Sequence, residues 1–281
     1  MTFGDPVAIV IDRFDPAKGW SGRQEIASGS VAPYPITVPA LSLGDDGTAA
    51  VAWAASKAFR DAHSIAVART FDGTSWGAPV TLNPDFRYVY TYRPLLATDS
   101  RGAFIASWQE YDAFGNQAYA SRTTPGGSWS APVLLNTPDV LPDGGGTSHE
   151  QLNPALAMSR TGDAVALLTD HDWKANTYAL DMVTFSPQTG WSAPVQLDPS
   201  SAGTGSAQMD DCGNAAIAWI SLPTQDAMSA RRVRGGDWVT KRLGTVPSSA
   251  QWAILGVGPS GQTAVTYRSP DDHDQRANVL E

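Results

Sequence analysis

Three segments of the chain mix aromatic rings with charged and hydrogen-bonding side chains. They are Phe86-Arg87-Tyr88-Val89-Tyr90-Thr91-Tyr92-Arg93, Glu110-Tyr111-Asp112 and Asp170-His171-Asp172-Trp173-Lys174. Flat rings stack on the C–H faces of a sugar, while carboxylates, guanidinium groups and imidazoles exchange hydrogen bonds with its hydroxyls. A few polar groups converging in an aromatic setting are what orients a small ligand. The binding residues so defined are Trp173, His171, Asp170, Tyr88, Tyr90, Arg93, Tyr111 and Glu110, joined by His63, Arg60 and His273 from other connections. Trp173 leads this group because it lies outside the repeat described below. The alternating tyrosines would also suit an extra strand or a packed loop.

The same residues permit two other chemistries. Glycosidic hydrolysis needs two carboxyls, about 5–5.5 Å apart for retention or about 6.5–9.5 Å for inversion, and Glu110, Glu150 and Asp170 are the candidates. Asp61, His63, Asp170, Asp172, Asp272 and His273 could offer oxygen and imidazole ligands to a divalent ion. Asp and His are ordinary turn residues, however, and their spacing matches no metal signature. No bound metal and no cofactor are therefore expected. Ser148-His149 lacks a nucleophile elbow, and Gly144-Gly145-Gly146 lacks the Lys-Ser/Thr of a phosphate loop.

Composition narrows the class. The 281 residues are 42% hydrophobic and 17% charged, which suits a folded chain. A net charge of -9 argues against a nucleic-acid partner, which would call for a basic surface. No run approaches the roughly 20 apolar residues of a membrane-spanning helix, so no membrane insertion is expected. The single cysteine, Cys212, excludes an internal disulfide.

The elements that must position these residues are written in a repeat. Five times a turn glycine is followed six residues later by a large side chain: Gly47 and Trp53, Gly102 and Trp108, Gly162 and Leu168, Gly213 and Trp219, Gly261 and Tyr267. Apolar residues of both parities fill the intervals, which marks a strand buried on both faces. A second tryptophan alternates with the first, at Trp20, Trp76, Trp129, Trp191 and Trp238, three of them in Trp-x-Ala-Pro. Eight of the ten tryptophans thus hold repeat positions and are expected as core wedges.

A period of roughly fifty to sixty residues lies in the range of propeller blades. The first full copy predicts strand A at 39–43, B at 48–54, C at 64–70 and D at 75–82. The expected fold is all-β: a β-propeller of five four-stranded blades with next to no helix. The N-terminal segments 7–14 and 20–26 read as strands C and D, and 253–257 and 262–268 as strands A and B. Their pairing would close the ring and remove two open sheet edges. Residues 276–279 could instead begin a rival strand C. Leu280-Glu281 reads as a cloning remnant, which leaves 1–279 as one domain, in natural context part of a longer chain.

The turn glycine, the six-residue interval and the Gly-x-x-Trp-x-x-Pro hairpin resemble the sialidase-like, Asp-box (BNR-type) propeller repeats of secreted bacterial proteins. Asp15-Pro-Ala-Lys-Gly-Trp20 and Asp72-Gly-Thr-Ser-Trp76 come nearest to the full Asp-box pattern. The resemblance is one of repeat architecture over nearly the whole chain and carries over no catalytic residue. It implies a secreted or cell-surface protein.

In such a fold the A–B and C–D turns share one end, and the B–C and D–A connections share the other. The candidate residues fall in the second group: B–C connections 57–63, 110–117, 170–176, 223–226 and 269–275, and D–A connections 83–93, 136–153, 200–206 and 246–251. All four histidines lie there. Residues that vary while a scaffold repeats are the ones free to act. The reading is a carbohydrate or other small ligand held at that end. A glycoside hydrolase or lyase using paired carboxylates, and a protein-interaction scaffold, are the alternatives.

Overall fold

In a computed structural model of the chain, residues 7–29, 39–56, 64–83, 90–112, 115–136, 149–172, 177–200, 205–221, 223–246, 253–257, 263–267 and 276–280 are described. All regular structure among them is β. β1 (Val7–Ile11) pairs with β4 (Gln24–Gly29), and β2 (Phe14–Asp15) with β3 (Gly19–Trp20), all antiparallel. The first complete blade is β5 (Ala40–Leu43), β6 (Ala49–Ser56), β7 (Ser64–Phe71) and β8 (Val80–Thr81). The second is β9 (Tyr90–Thr98), β10 (Phe104–Asp112), β11 (Gly115–Arg122) and β12 (Val133–Leu134). The third comprises β13 (His149–Met158), β14 (Ala164–Asp172) and β15 (Thr177–Ser186), with β16 (Gly190–Trp191) and β17 (Val195–Asp198) sharing its outer edge. The fourth is β18 (Ser206–Met209), β19 (Ala215–Ser221), β20 (Asp226–Arg232) and β21 (Trp238–Thr245). The last sheet has β22 (Ala253–Val257), β23 (Thr263–Tyr267) and β24 (Arg276–Leu280).

The four described A–B turns share one backbone feature, and two of them one carboxylate device. Gly47, Gly102, Gly162 and Gly213 all have φ between 77° and 91°, a conformation that costs only glycine nothing. The carboxylate opening the turn accepts backbone N–H groups: Asp99 from Arg101 and Ala103, Asp210 from Cys212 and Asn214. One side chain ties the turns together. Arg160 reaches Asp45 of the first blade at 2.8 Å and Asp211 of the fourth at 3.5 Å, while its carbonyl accepts from Ser100 Oγ of the second.

The core is a series of layers between successive sheets. Trp53 packs with Ile26 and Ile9, Trp108 with Ala52 and Ala66, Leu168 with Ile105 and Ala120, and Trp219 with Val165 and Leu167. These four residues, each six positions after a turn glycine, are thus the wedges against the preceding sheet. Trp76, Trp129, Trp191 and Trp238 join the same four layers. In the C–D turn of the first blade, Asp72 accepts the N–H groups of Thr74 and Ser75. Those bonds, chiefly that from Ser75, hold its carboxyl below the ordinary value. The turn also brings Phe71 and Trp76 to 5.3 Å, so the Asp-box-like segment is structural.

The structure departs from three sequence expectations. Trp20 is no wedge: it is 67% exposed and meets Phe14 edge-on at 5.4 Å, because no described sheet lies on its outer side. Among the described residues the terminal segments do not pair with each other to make one blade. β23 pairs with β24, the rival strand C, and β1 pairs with β4, so two incomplete sheets flank four complete blades. Closing a hairpin over a short connection costs less chain entropy than joining ends most of the chain apart. The third departure is that much of what reads as connection is strand. β10 runs to Asp112, β14 to Asp172, β9 starts at Tyr90 and β13 at His149. Polar side chains tolerate the rim, but backbone N–H and C=O groups there still need partners, and the ladder supplies them.

Candidate functional site

The innermost strands of the first and fourth blades have four residues each, whereas β9 has nine and β13 ten. The extra length follows a bulge in each. The register steps from Leu95 opposite Ser107 to Tyr92 opposite Gln109, which leaves Arg93-Pro94 unmatched. Likewise it steps from Ala155 opposite Leu167 to Leu152 opposite Thr169, leaving Asn153-Pro154. Proline has no N–H to give a ladder, and a bulge absorbs it and lets the strand continue. Both strands therefore extend to the end where the B–C and D–A connections lie.

The extension joins two blades. Asn116 of β11 pairs in parallel with Glu150 of β13, making the second and third blades one nine-stranded sheet. Register then lines up a continuous row: Tyr90, Tyr111, Asn116, Glu150, His171 and Tyr178 stand successively opposite one another on β9, β10, β11, β13, β14 and β15. One step inward, Thr91, Glu110 and Gln117 are paired across the second blade, and Gln151, Asp170 and Ala179 across the third. Six of the sequence-derived candidates (Tyr90, Tyr111, Glu110, Glu150, Asp170, His171) occupy these two adjacent rows.

Glu110 is held in place by the wedge below it. Trp108 Nε1 donates to Glu110 Oε1 at 2.6 Å, Trp108 stacks on Tyr119 at 6.2 Å, and Tyr119 Oη donates to Gln117 Oε1. The indole of Trp219 is spent differently, on Asp198 of the preceding blade at 2.8 Å. Asp170 has a carboxylate neighbour in Asp181, which stands opposite Leu168 on β15, one diagonal step away. Burial first, then the negative charge of Asp170, raises the Asp181 carboxyl above its ordinary value.

Glu110 and Asp170 do not form a facing pair. Each lies eight residues beyond its turn glycine, so they are equivalent positions in consecutive blades. Glu110 shares the face of Trp108, which packs toward the first blade; Asp170 shares the face of Leu168, which packs toward the second. A sheet stands between them. The fourth blade closes its own corner: Asp226 bonds Arg242 at 2.7 Å, and that contact holds its carboxyl below the ordinary value. Gln225 beside it is the one non-glycine residue with positive φ among those described, at 51°.

Arg93 lies in the β9 bulge, and Asp172 ends β14 opposite His149. Arg60, Asp61, His63, Tyr88, Trp173, Asp272 and His273 lie outside the described residues, so the metal alternative is represented only by Asp170 and Asp172. Among the described residues no three His, Cys, Asp or Glu are grouped to hold a metal. Sequence reasoning passed over Asn116, Tyr178, Gln151 and Asp181. Asp181 was the findable one, as an acid breaking the apolar run Ala179-Leu180-Asp181-Met182-Val183.

This order of sheets, with its wedges and its row at one end, defines an all-β protein of the sialidase-like β-propeller fold. The particular likenesses are to solved structures. A Dyadobacter fermentans protein of unknown function is similar over 88% of this chain and 79% of its own, at 17% identity and a TM-score of 0.52. An α-L-arabinanase of Penicillium chrysogenum, in complex with arabinobiose, is similar over 98% of this chain and 85% of its own, at 15% identity and 0.51. The polysaccharide lyase Uly1 is similar over 88% of this chain, at 13% identity and 0.52, and this match spans 58% of the lyase. At such identities the likeness is one of fold. No protein-family model and no curated protein sequence matches the chain.

Proposed function

We propose that the chain is a carbohydrate-binding propeller, secreted or displayed at the cell surface, that works at the extended end of its second and third blades. The observation that carries this reading is the paired row Tyr90-Tyr111-Asn116-Glu150-His171-Tyr178. Its backbone register brings residue types that suit a sugar to paired positions at the end where the repeat is broken. That the arabinanase and the lyase share the fold agrees with a glycan ligand, although fold alone assigns no function.

The catalytic alternative has one observation in its favour. Asp181, with its raised carboxyl, stands beside Asp170, and unlike environments for two carboxyls are how one acid and one base are set apart. A glycan array run beside a panel of chromogenic glycosides separates the readings. Binding without turnover supports the receptor; turnover that Asp170→Asn or Asp181→Asn abolishes makes it an enzyme. Trp173→Ala is expected to weaken the glycan bound by wild type while leaving the melting temperature unchanged. Silence on both the array and the panel would end the carbohydrate reading.

A further inference from the structure

Three of the described sheets carry the same aromatic pair at their C–D turn. Phe14 meets Trp20 at 5.4 Å, Phe71 meets Trp76 at 5.3 Å and Phe185 meets Trp191 at 5.2 Å. Two of these pairs are covered by an arginine from the preceding sheet. The guanidinium of Arg13, next to Phe14, lies 5.1 Å from the centre of the Phe71 ring, and that of Arg122 on β11 lies 5.2 Å from the Phe185 ring. Under that cover Phe71 and Phe185 are 8% and 4% exposed, whereas Phe14 is 56% exposed. A guanidinium over a ring is attracted to it, the more so where water is shut out.

The two covering arginines hold one position in the repeat. The N–H of Ser21 donates to the carbonyl of Arg13, and that of Ser130 to the carbonyl of Arg122, each serine following its D-strand tryptophan. The fourth blade has an arginine at this position too. Arg13 precedes Phe14, which is paired with Trp20; Arg231 precedes Arg232, which is paired with Trp238. Arg231 stands opposite Ala216, on the face that packs toward the last sheet. Val239, opposite Arg231 on β21, is nevertheless 68% exposed, because the last sheet has three described strands and no fourth to cover it.

The two open faces are thus the halves of a contact that the molecule already makes twice, from the N-terminal sheet to the first blade and from the second blade to the third. Within one chain both stay exposed. Exposed apolar surface of this kind marks an interaction site. The internal examples define its partner as a sheet with an arginine just before its C–D turn, which a second copy of this chain presents.

We infer that the N-terminal sheet of one copy docks through Phe14 and Trp20 on the Arg231 face of the fourth blade of another. Two different surfaces meet, so association continues from copy to copy unless a ring closes.

The test is sedimentation velocity of the full chain from about 1 μM to about 1 mM. The average mass should rise with concentration and pass that of a dimer. Trp20→Ala and Arg231→Gln, each checked for an unchanged melting temperature, should each weaken association by at least about tenfold. Mixed in equal amounts they should form a dimer and nothing larger, because each variant keeps the face that the other has lost. Should Arg231→Gln melt early, Val239→Asp on the same face takes its place. A wild type that stays monomeric throughout overturns the inference, whether or not acrylamide quenching finds Trp20 shielded within the single chain. So does association that neither substitution weakens, or a mixture that stays monomeric or grows beyond a dimer.

Discussion

The two ends of the blades are made by opposite rules. At the turn end, the four described A–B connections carry a glycine in the same backbone conformation, and an Asp at the turn in three of them accepts backbone N–H groups. Arg160 then links the first, third and fourth turns by ion pairs and the second by a backbone bond. At the other end the fourth blade stops at a strained corner sealed by Asp226 and Arg242, while the second and third run on past their bulges and join. Uniformity at one end keeps the sheets in step; irregularity at the other lengthens the second and third blades and pairs Asn116 with Glu150. Stability should accordingly be lost by changes to the wedges and turns, and recognition by changes to the row.

The sharpest way to break this division is Trp108→Ala. The side chain is fully buried, and its loss should cost about 3–5 kcal/mol through a cavity between the first and second blades. Denaturant unfolding would show it; a loss no larger than that of Trp173→Ala would erase the distinction between wedge and rim. Next in size is Gly102→Ala. Its φ is +77°, and an added methyl would sit 2.6 Å from Thr48 Oγ1 of the neighbouring turn, so about 1–3 kcal/mol should go. Ligand affinity measured on the surviving folded protein should not change. A changed affinity would show that the turn end is coupled to the row.

The smallest effect runs the other way. Because the Asp181 carboxyl is raised in the folded protein, its contribution is full below the ordinary carboxylate range. That contribution is lost as pH rises through the raised value, so the ionised group is a cost near neutrality. Asp181→Asn should therefore stabilise the protein at neutral pH, by less than about 1 kcal/mol because solvent still reaches the site. Thermal melts taken down to acid pH should show the advantage disappearing. A gain that is flat with pH would mean the carboxyl is not the cause.

The fold was legible because its signals are local. A turn glycine, six residues and a wedge reappear at a fixed interval, and apolar residues on both parities reveal a strand buried on both faces. The rim was harder. The sequence reading runs the D–A connections to 93 and 153, whereas Pro94 and Pro154 each lie in a bulge beyond which the strand continues into that connection. Glu110 and Asp170 read as a possible pair because both lie in acidic segments, but strand parity turns them toward different neighbours. The pairing of Asn116 with Glu150 joins residues far apart in the chain, and no nearby pattern encodes it. Strand β24 was visible as a rival for the edge of β23; deciding between the two needed the competition between a short hairpin and a distant strand.

The Asn116–Glu150 pair has a thermodynamic consequence. Two halves of a recognition surface carried on separate blades would have to be brought into register by the ligand, which would bear the entropic cost of aligning them. Here one backbone pair already holds the two blades side by side, so a ligand that touched both would keep more of its contact energy as affinity.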